Sequence, residues 1–181
     1  RSPQTTVYDG SPKELGSDIV EANTADLGSF DTDTTSSWTA NNAIAYNSGT
    51  GDATVTHDGS GDWIMARNFL TSGKIYKATF KVKATDNTSY LSLTNGGGVA
   101  YPYGATLNPA LSTAYQNYEF LFTTTSTWLE FSASSSATSY SGATPDSGDT
   151  FTFDDIVVKP INGNAGFMIN MTSGTIVSET P

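Results

Sequence analysis

Between Ile75 and Ala84 the chain alternates without interruption. Tyr76, Ala78, Phe80, Val82 and Ala84 fall on one side, and Lys77, Thr79, Lys81 and Lys83 fall on the other. Successive side chains of an extended strand point to opposite faces, so the pattern predicts a half-buried strand with one wet face. The same period recurs at Tyr118, Phe120 and Phe122 against Asn117 and Glu119, and at Leu129, Phe131 and Ala133 against Trp128, Glu130 and Ser132. Leu91 and Leu93 face away from Tyr90, Ser92 and Thr94. Over Trp63–Leu70 alternation puts Trp63, Met65 and Arg67 on one face, with Ile64, Ala66 and Asn68 on the other. Phe151–Val158 is the last strong strand, and Asp154-Asp155 interrupts its alternation.

Turn clusters separate these runs at Ser48-Gly49-Thr50-Gly51, Asp58-Gly59-Ser60-Gly61 and Asn95-Gly96-Gly97-Gly98. The Ser/Thr-rich stretches at 123–127 and 132–141 have aromatic anchors on both sides and read as hydroxyl-rich strands and loops. No window keeps a 3.6-residue period long enough for a sizeable helix. Short strands between Gly, Asn, Asp and Ser clusters predict an all-β fold over 17–160: an antiparallel β-sandwich of jelly-roll type. Residues 1–16, with Pro3 and Pro12, read as an N-terminal linker or arm. Residues 161–181 carry Gly163 and Gly166 and then the apolar patch Phe167, Met168, Ile169 and Met171. They read as a tail, or as a linker to a neighbouring domain or subunit.

Composition narrows the partners. The net charge of −10 opposes a nucleic-acid backbone and an anionic membrane surface, and no Lys/Arg cluster offsets it. No stretch approaches the ~20 apolar residues that span a bilayer. The chain has no cysteine, which rules out disulfides and Cys-based zinc. Only 14% of residues are charged, a balance that fits a β-rich domain working outside the cytosol. The first residues lack an apolar signal core, which reads as a start cut from a longer chain or as export by another route.

Catalytic chemistry has little to work with. The one histidine, His57, ends a strand run, and no G-x-S-x-G elbow accompanies it. Glu119 and Glu130 sit on polar strand faces, where solvation is the ordinary role of a carboxylate. The aromatic residues offer more. An indole near a guanidinium suits a pyranose, whose apolar face stacks while its hydroxyls take hydrogen bonds. Trp63 and Arg67 supply that pair, and Tyr90, Tyr101 and Tyr103 lie on a wet face or just after the triple-glycine turn. Pattern alone leaves Trp63 and Tyr103 open between binding and core. A carboxylate inside a β run is costly unless it is paired or metal-bound, so Asp31 and Asp154 invite calcium, with lysine pairing or a solvent-facing bulge as the alternative.

The order of these motifs resembles the calcium-stabilised jelly-roll carbohydrate-binding modules of families 4, 9 and 22. The chain opens with DIVEANTADLGSFD, similar to that family's opening strand and turn, and then has Trp38. GDWIMARNF, SGKIYKATFKVKA, STAYQNYEFLFT and TFTFDDIVV follow in the family's order, with Tyr115-Gln116 where the family has Trp-Gln. The resemblance implies non-catalytic binding of a polysaccharide or cell-surface glycan. It implies a sugar face at Trp63, Arg67 and Tyr103, with Tyr90, Tyr101 and Tyr140 as outer candidates. It also implies a structural Ca²⁺ at Gly28, Asp31 and Asp154, with a contribution from the loop ending at Asp52. Asp31 stands where the family usually has Glu. The tail INGNAGFMINMTSGTIVSETP resembles segments after accessory domains in tailed-phage virion proteins. That second resemblance implies an extracellular or virion-surface module, joined through its tail to other virion or enzyme domains. The alternatives are a secreted glycanase's appended module and a structural virion decoration domain with no sugar site.

Overall fold

The computed structural model describes residues 15–161 except 42, 62, 87–88, 96–99, 102–107 and 135–143. Among the described residues ten strands form two five-stranded antiparallel sheets. Sheet I contains β1 (Thr39–Ala40), β4 (Trp63–Asn68), β9 (Trp128–Ser134), β6 (Tyr90–Thr94) and β7 (Ala100–Tyr101), in that spatial order. Sheet II contains β2 (Ile44–Asn47), β3 (Asp52–Thr56), β10 (Thr150–Pro160), β5 (Ile75–Ala84) and β8 (Gln116–Thr123). This is the antiparallel jelly-roll sandwich that the alternation predicts. No helix among the described residues is long and apolar enough to cross a membrane.

The core lies between the sheets. Tyr76, Ala78, Phe80, Val82 and Ala84 of β5 are buried, as are Tyr118, Phe120 and Phe122 of β8 and Leu129, Phe131 and Ala133 of β9. Phe131 of sheet I bridges to sheet II, edge-on to Phe80 at 4.9 Å and tilted against Phe153 at 5.0 Å. Aromatic pairs in these geometries add roughly 0.5–1.5 kcal/mol each beyond area burial.

The opening segment is helical where a strand is expected from the resemblance. Asp18 caps the short helix α1 (Ile19–Asn23), its Oδ1 accepting the Val20 amide at 3.0 Å. The same Oδ1 accepts the Val158 amide of β10 at 3.0 Å, so one carboxylate starts the helix and fastens it to sheet II. Glu21 in the first turn accepts the amides of Asp26 (2.7 Å), Gly28 (3.0 Å) and Ser29 (3.3 Å). A carboxylate in a backbone concavity satisfies donors that no strand partner reaches. Leu15 bridges to Ile161, and the Gly16 amide donates to the Pro160 carbonyl at 2.7 Å, so both ends of the sandwich meet at one place.

The Asp154-Asp155 interruption is a bulge. The β10–β5 register shifts between Asp154 and Val157, and Asp155 takes φ 50°. The extra residue lets Phe151 and Phe153 before the bulge, and Ile156 and Val158 after it, all reach the core.

Candidate functional site

A second bulge decides which way β4 presents its side chains. Trp63 pairs with Ser132, Met65 with Phe131 and Arg67 with Leu129, so β4 gains one residue against β9 between Trp63 and Met65. Ile64 and Met65 are adjacent and both fully buried, which strict alternation cannot achieve and a bulge can. Trp63 therefore faces outward with Ser132, whereas Met65 and Arg67 turn to the core side with Phe131 and Leu129. The expectation that Trp63 and Arg67 share a face is corrected by this one extra residue. Arg67 donates to the Ser37 carbonyl and to Asn23 Oδ1 (2.5 Å), and its Nε has no partner among the described residues. Burial lowers its pKa from the ordinary arginine value.

Cross-strand pairing orders the outer face of sheet I into rows. Tyr90 pairs with Ser134, then Trp63 with Ser132 and Ser92, then Ala66 with Glu130 and Thr94, then Asn68 with Trp128. The floor is small and hydroxylated: Ser92, Thr94, Ser132 and Ser134 are buried. Glu130 Oε1 accepts the hydroxyls of Thr94 at 2.7 Å and Ser132 at 3.3 Å, and Ser92 donates to Asn108 Oδ1 at 2.5 Å. Trp63 and Tyr90 are half-buried, and Trp128 is 38% exposed. Strand rise and spacing put Trp63 roughly 14 Å from Trp128 and roughly 12 Å from Tyr90.

Trp128 is the residue that sequence reasoning passed over. It falls on the polar side of its strand with Glu130 and Ser132, and a large apolar ring on a wet face is the signal that marks it. Tyr101 is corrected in the opposite direction. It pairs with Leu93, points into the core, stacks on Phe122 at 4.3 Å and shares a 2.9 Å hydrogen bond with Thr124 Oγ1. Only 4% of it is exposed, and burial raises its pKa, so it offers no surface to a ligand. Tyr103 and Tyr140 lie outside the described residues.

The residues expected at calcium have protein partners of their own. Asp31 is exposed, and its carbonyl accepts the Tyr46 hydroxyl at 3.1 Å. The Gly28 carbonyl accepts the Ile156 amide at 3.0 Å. One step beyond the Phe153–Ala53 pair, Asp154 comes level with Asp52 on the outer face of sheet II. Asp52 accepts Asn47 Nδ2 on one oxygen and the Tyr115 hydroxyl on the other at 2.6 Å. Lys81 binds Asp155 and approaches Asp154 to 3.9 Å. Among the described residues no three His, Cys, Asp or Glu side chains gather at one point.

Burial alone would push the Asp52 carboxyl up, but hydrogen bonds from Tyr115, Asn47 and Thr50 and the charge of Lys83 bring it below the ordinary value. Burial first, and then the Asp52 carboxylate, lift the Tyr115 hydroxyl well above the ordinary tyrosine range. Asp154 is raised, chiefly by burial and also by the charges of Asp155 and Asp52. A raised carboxyl binds its proton more tightly in the folded state, so its contribution to stability grows as the pH falls through that raised value to the ordinary one. Asp52 acts with the opposite sign, and only at pH below the ordinary carboxylate value. Asp154→Asn is therefore expected to be more stable than the parent near pH 7, with the gap narrowing as the pH falls to the ordinary carboxylate value; melting temperatures along that range check it.

The geometry defines an antiparallel jelly roll with tryptophans over a hydroxyl-lined floor on one outer face. A family 4 carbohydrate-binding module shares this fold at 17% identity over 73% of this chain and 99% of that one, with a TM-score of 0.50. The N-terminal cellulose-binding domain of Cellulomonas fimi β-1,4-glucanase C is 15% identical over 76% of this chain and 96% of that one, at TM-score 0.49. A family 22 xylan-binding domain from Paenibacillus barcinonensis is 10% identical over 76% of this chain and 94% of that one, at TM-score 0.47. At these identities the shared property is the fold. No family model matches the sequence, and no curated protein matches it.

Proposed function

We propose that this chain is a non-catalytic glycan-binding module whose ligand lies across the outer face of sheet I. The observation that carries the reading is the disposition of Trp63, Trp128 and Tyr90 on one face over Ser92, Thr94, Glu130 and Ser132. Flat apolar sugar faces stack on the indoles, and Glu130 and Asn68 are placed to take ring hydroxyls. A good stack is worth about 1 kcal/mol beyond area burial, so single-site binding is weak and several copies on one assembly strengthen it. Residues 15–161 form the binding unit, and the flanking segments connect it to a larger extracellular or virion assembly.

A binding rather than catalytic role is supported by the acids and the histidine. Glu119 faces outward from sheet II and Glu130 from sheet I, so the two cannot flank one glycosidic bond. His57 is 1% exposed, and its Nδ1 accepts the Gly59 amide at 2.9 Å. The test is a panel of xylan, β-glucan, mannan, mucin and bacterial polysaccharides with the parent, Trp63→Ala and Trp128→Ala. The expected result is retention on one class, at least a fivefold loss in each variant by the ~1 kcal/mol per stack, and near-parental melting temperatures for Trp128→Ala. Retention on none of them would favour a structural decoration domain with no sugar site.

A further inference from the structure

Positive charge is gathered on one surface of this acidic chain. Of the six cationic residues the structure describes, Lys77, Lys81, Lys83 and Lys159 face outward from sheet II. Arg67 is tied inward, and Lys74 sits in the turn before β5. The outer face of sheet I has no cation among the described residues and holds Glu130 instead.

Two adjoining depressions mark the same face of sheet II. One, about 210 Å³, is lined by Leu15, Lys77, Thr79, Val157 and Lys159. The other, about 330 Å³, has Lys81, Asn117, Glu119 and Asp155 in its wall and meets the first at Thr79. Lys77 and Lys159 are direct cross-strand partners, an arrangement in which like charges destabilise each other. Lys77 has Glu119 at 2.9 Å, but Lys159 has no anionic partner among the described residues. Val157 and the 44% exposed Leu15 give the lysine pair an apolar wall. Glu119 and Asp155 close by would repel a densely charged polyanion, so the groove suits an isolated negative charge on a mostly neutral body.

We infer that the outer face of sheet II is a second saccharide surface, selective for uronic-acid glycans. The uronate carboxylate lies between the ammonium groups of Lys77 and Lys159, and its ring rests against Val157 and Leu15. The hydroxyls of the adjoining sugar reach Lys81, Asn117 and Asp155. The site is on the opposite side of the sandwich from the tryptophans, so it does not depend on them.

The experiment titrates the ¹⁵N-labelled full chain with a xylo-oligosaccharide bearing a single glucuronic acid, with the unsubstituted xylo-oligosaccharide of equal length and with polyglutamate. The expected result is a set of shifts at Lys77, Thr79 and Lys159 with the glucuronic-acid oligosaccharide alone, weakening several-fold when salt shortens the screening length from about 30 Å to 8 Å. Lys159→Gln lowers the affinity roughly fivefold, Lys159→Arg retains most of it, and Trp63→Ala with Trp128→Ala leaves it unchanged. Equal shifts with polyglutamate, no shifts with the glucuronic-acid oligosaccharide, or loss of binding in the tryptophan variants but not in Lys159→Gln would each overturn the assignment. Failure here leaves the sheet I reading standing, because the neutral-glycan panel tests that separately.

Discussion

Gly28→Ala is expected to lower the melting temperature by roughly 6–12 °C, the shift that about 3 kcal/mol produces in a domain of this size. A Cβ at position 28 would stand 1.9 Å from the Ile156 carbonyl oxygen and 2.9 Å from its carbon. Both are backbone atoms of the β10 bulge, and neither can rotate away. The Gly28 carbonyl also accepts the Ile156 amide, so moving apart to relieve the clash breaks the hydrogen bond that joins the two segments. Gly49→Ala is the control, since nothing lies within 4 Å of a Cβ there. Thermal unfolding of both variants settles it: equal melting temperatures would mean that the turn and the bulge separate without cost.

The second large effect concerns the same turn from the other side. Glu21→Ala removes an acceptor shared by three amides and is expected to cost about 2–4 kcal/mol, since hydrogen bonds to a charged group are the strong ones and stranded donors add a penalty. Glu21→Gln keeps one oxygen but turns an amide nitrogen towards a donor, so it falls in between. Chelator or millimolar calcium should leave the parent's melting temperature unmoved, because Asp18 and Glu21 already hold the turn and Lys81 already sits beside Asp154 and Asp155. A rise in melting temperature with calcium, reversed by chelator, would show that the carboxylates regroup around the ion.

The sandwich was legible because its strands obey strict alternation. β5, β8 and β9 bury the residues that the period of two selects, and β10 departs from it where two consecutive aspartates stand. What misled was the pair Ile64-Met65. Two adjacent apolar residues signal a bulge as readily as a buried strand, and counting by twos through them put Arg67 beside Trp63. Tyr101 was misplaced for a related reason: a two-residue strand carries no alternation, and only its pairing with Leu93 shows which way it points. The opening helix was illegible as well. Five residues are too few for a helical period, and its cap depends on an amide of β10 that lies 140 positions further along the chain. Asp154 stood out in the sequence as a carboxylate inside a β run and Asp52 only as the end of a loop, and their partners, Tyr115, Asn47 and Lys81, are brought to them by pairing that no local pattern shows.

The meeting of Leu15 with Ile161 also sets how this unit answers a pull. Because the two segments run antiparallel with both exits at the same end, tension between neighbouring parts of a larger assembly would load their bonds one at a time. The Leu15–Ile161 bridge and the Gly16–Pro160 bond would part first, then the Asp18 link to Val158, in the manner of a zip. Ile161 also donates to the Ile75 carbonyl and Pro160 pairs with Tyr76, so the end of β10 carries part of that load, and peeling Leu15 away would open the apolar wall beside Lys159 while sheet I and its tryptophans keep their shape.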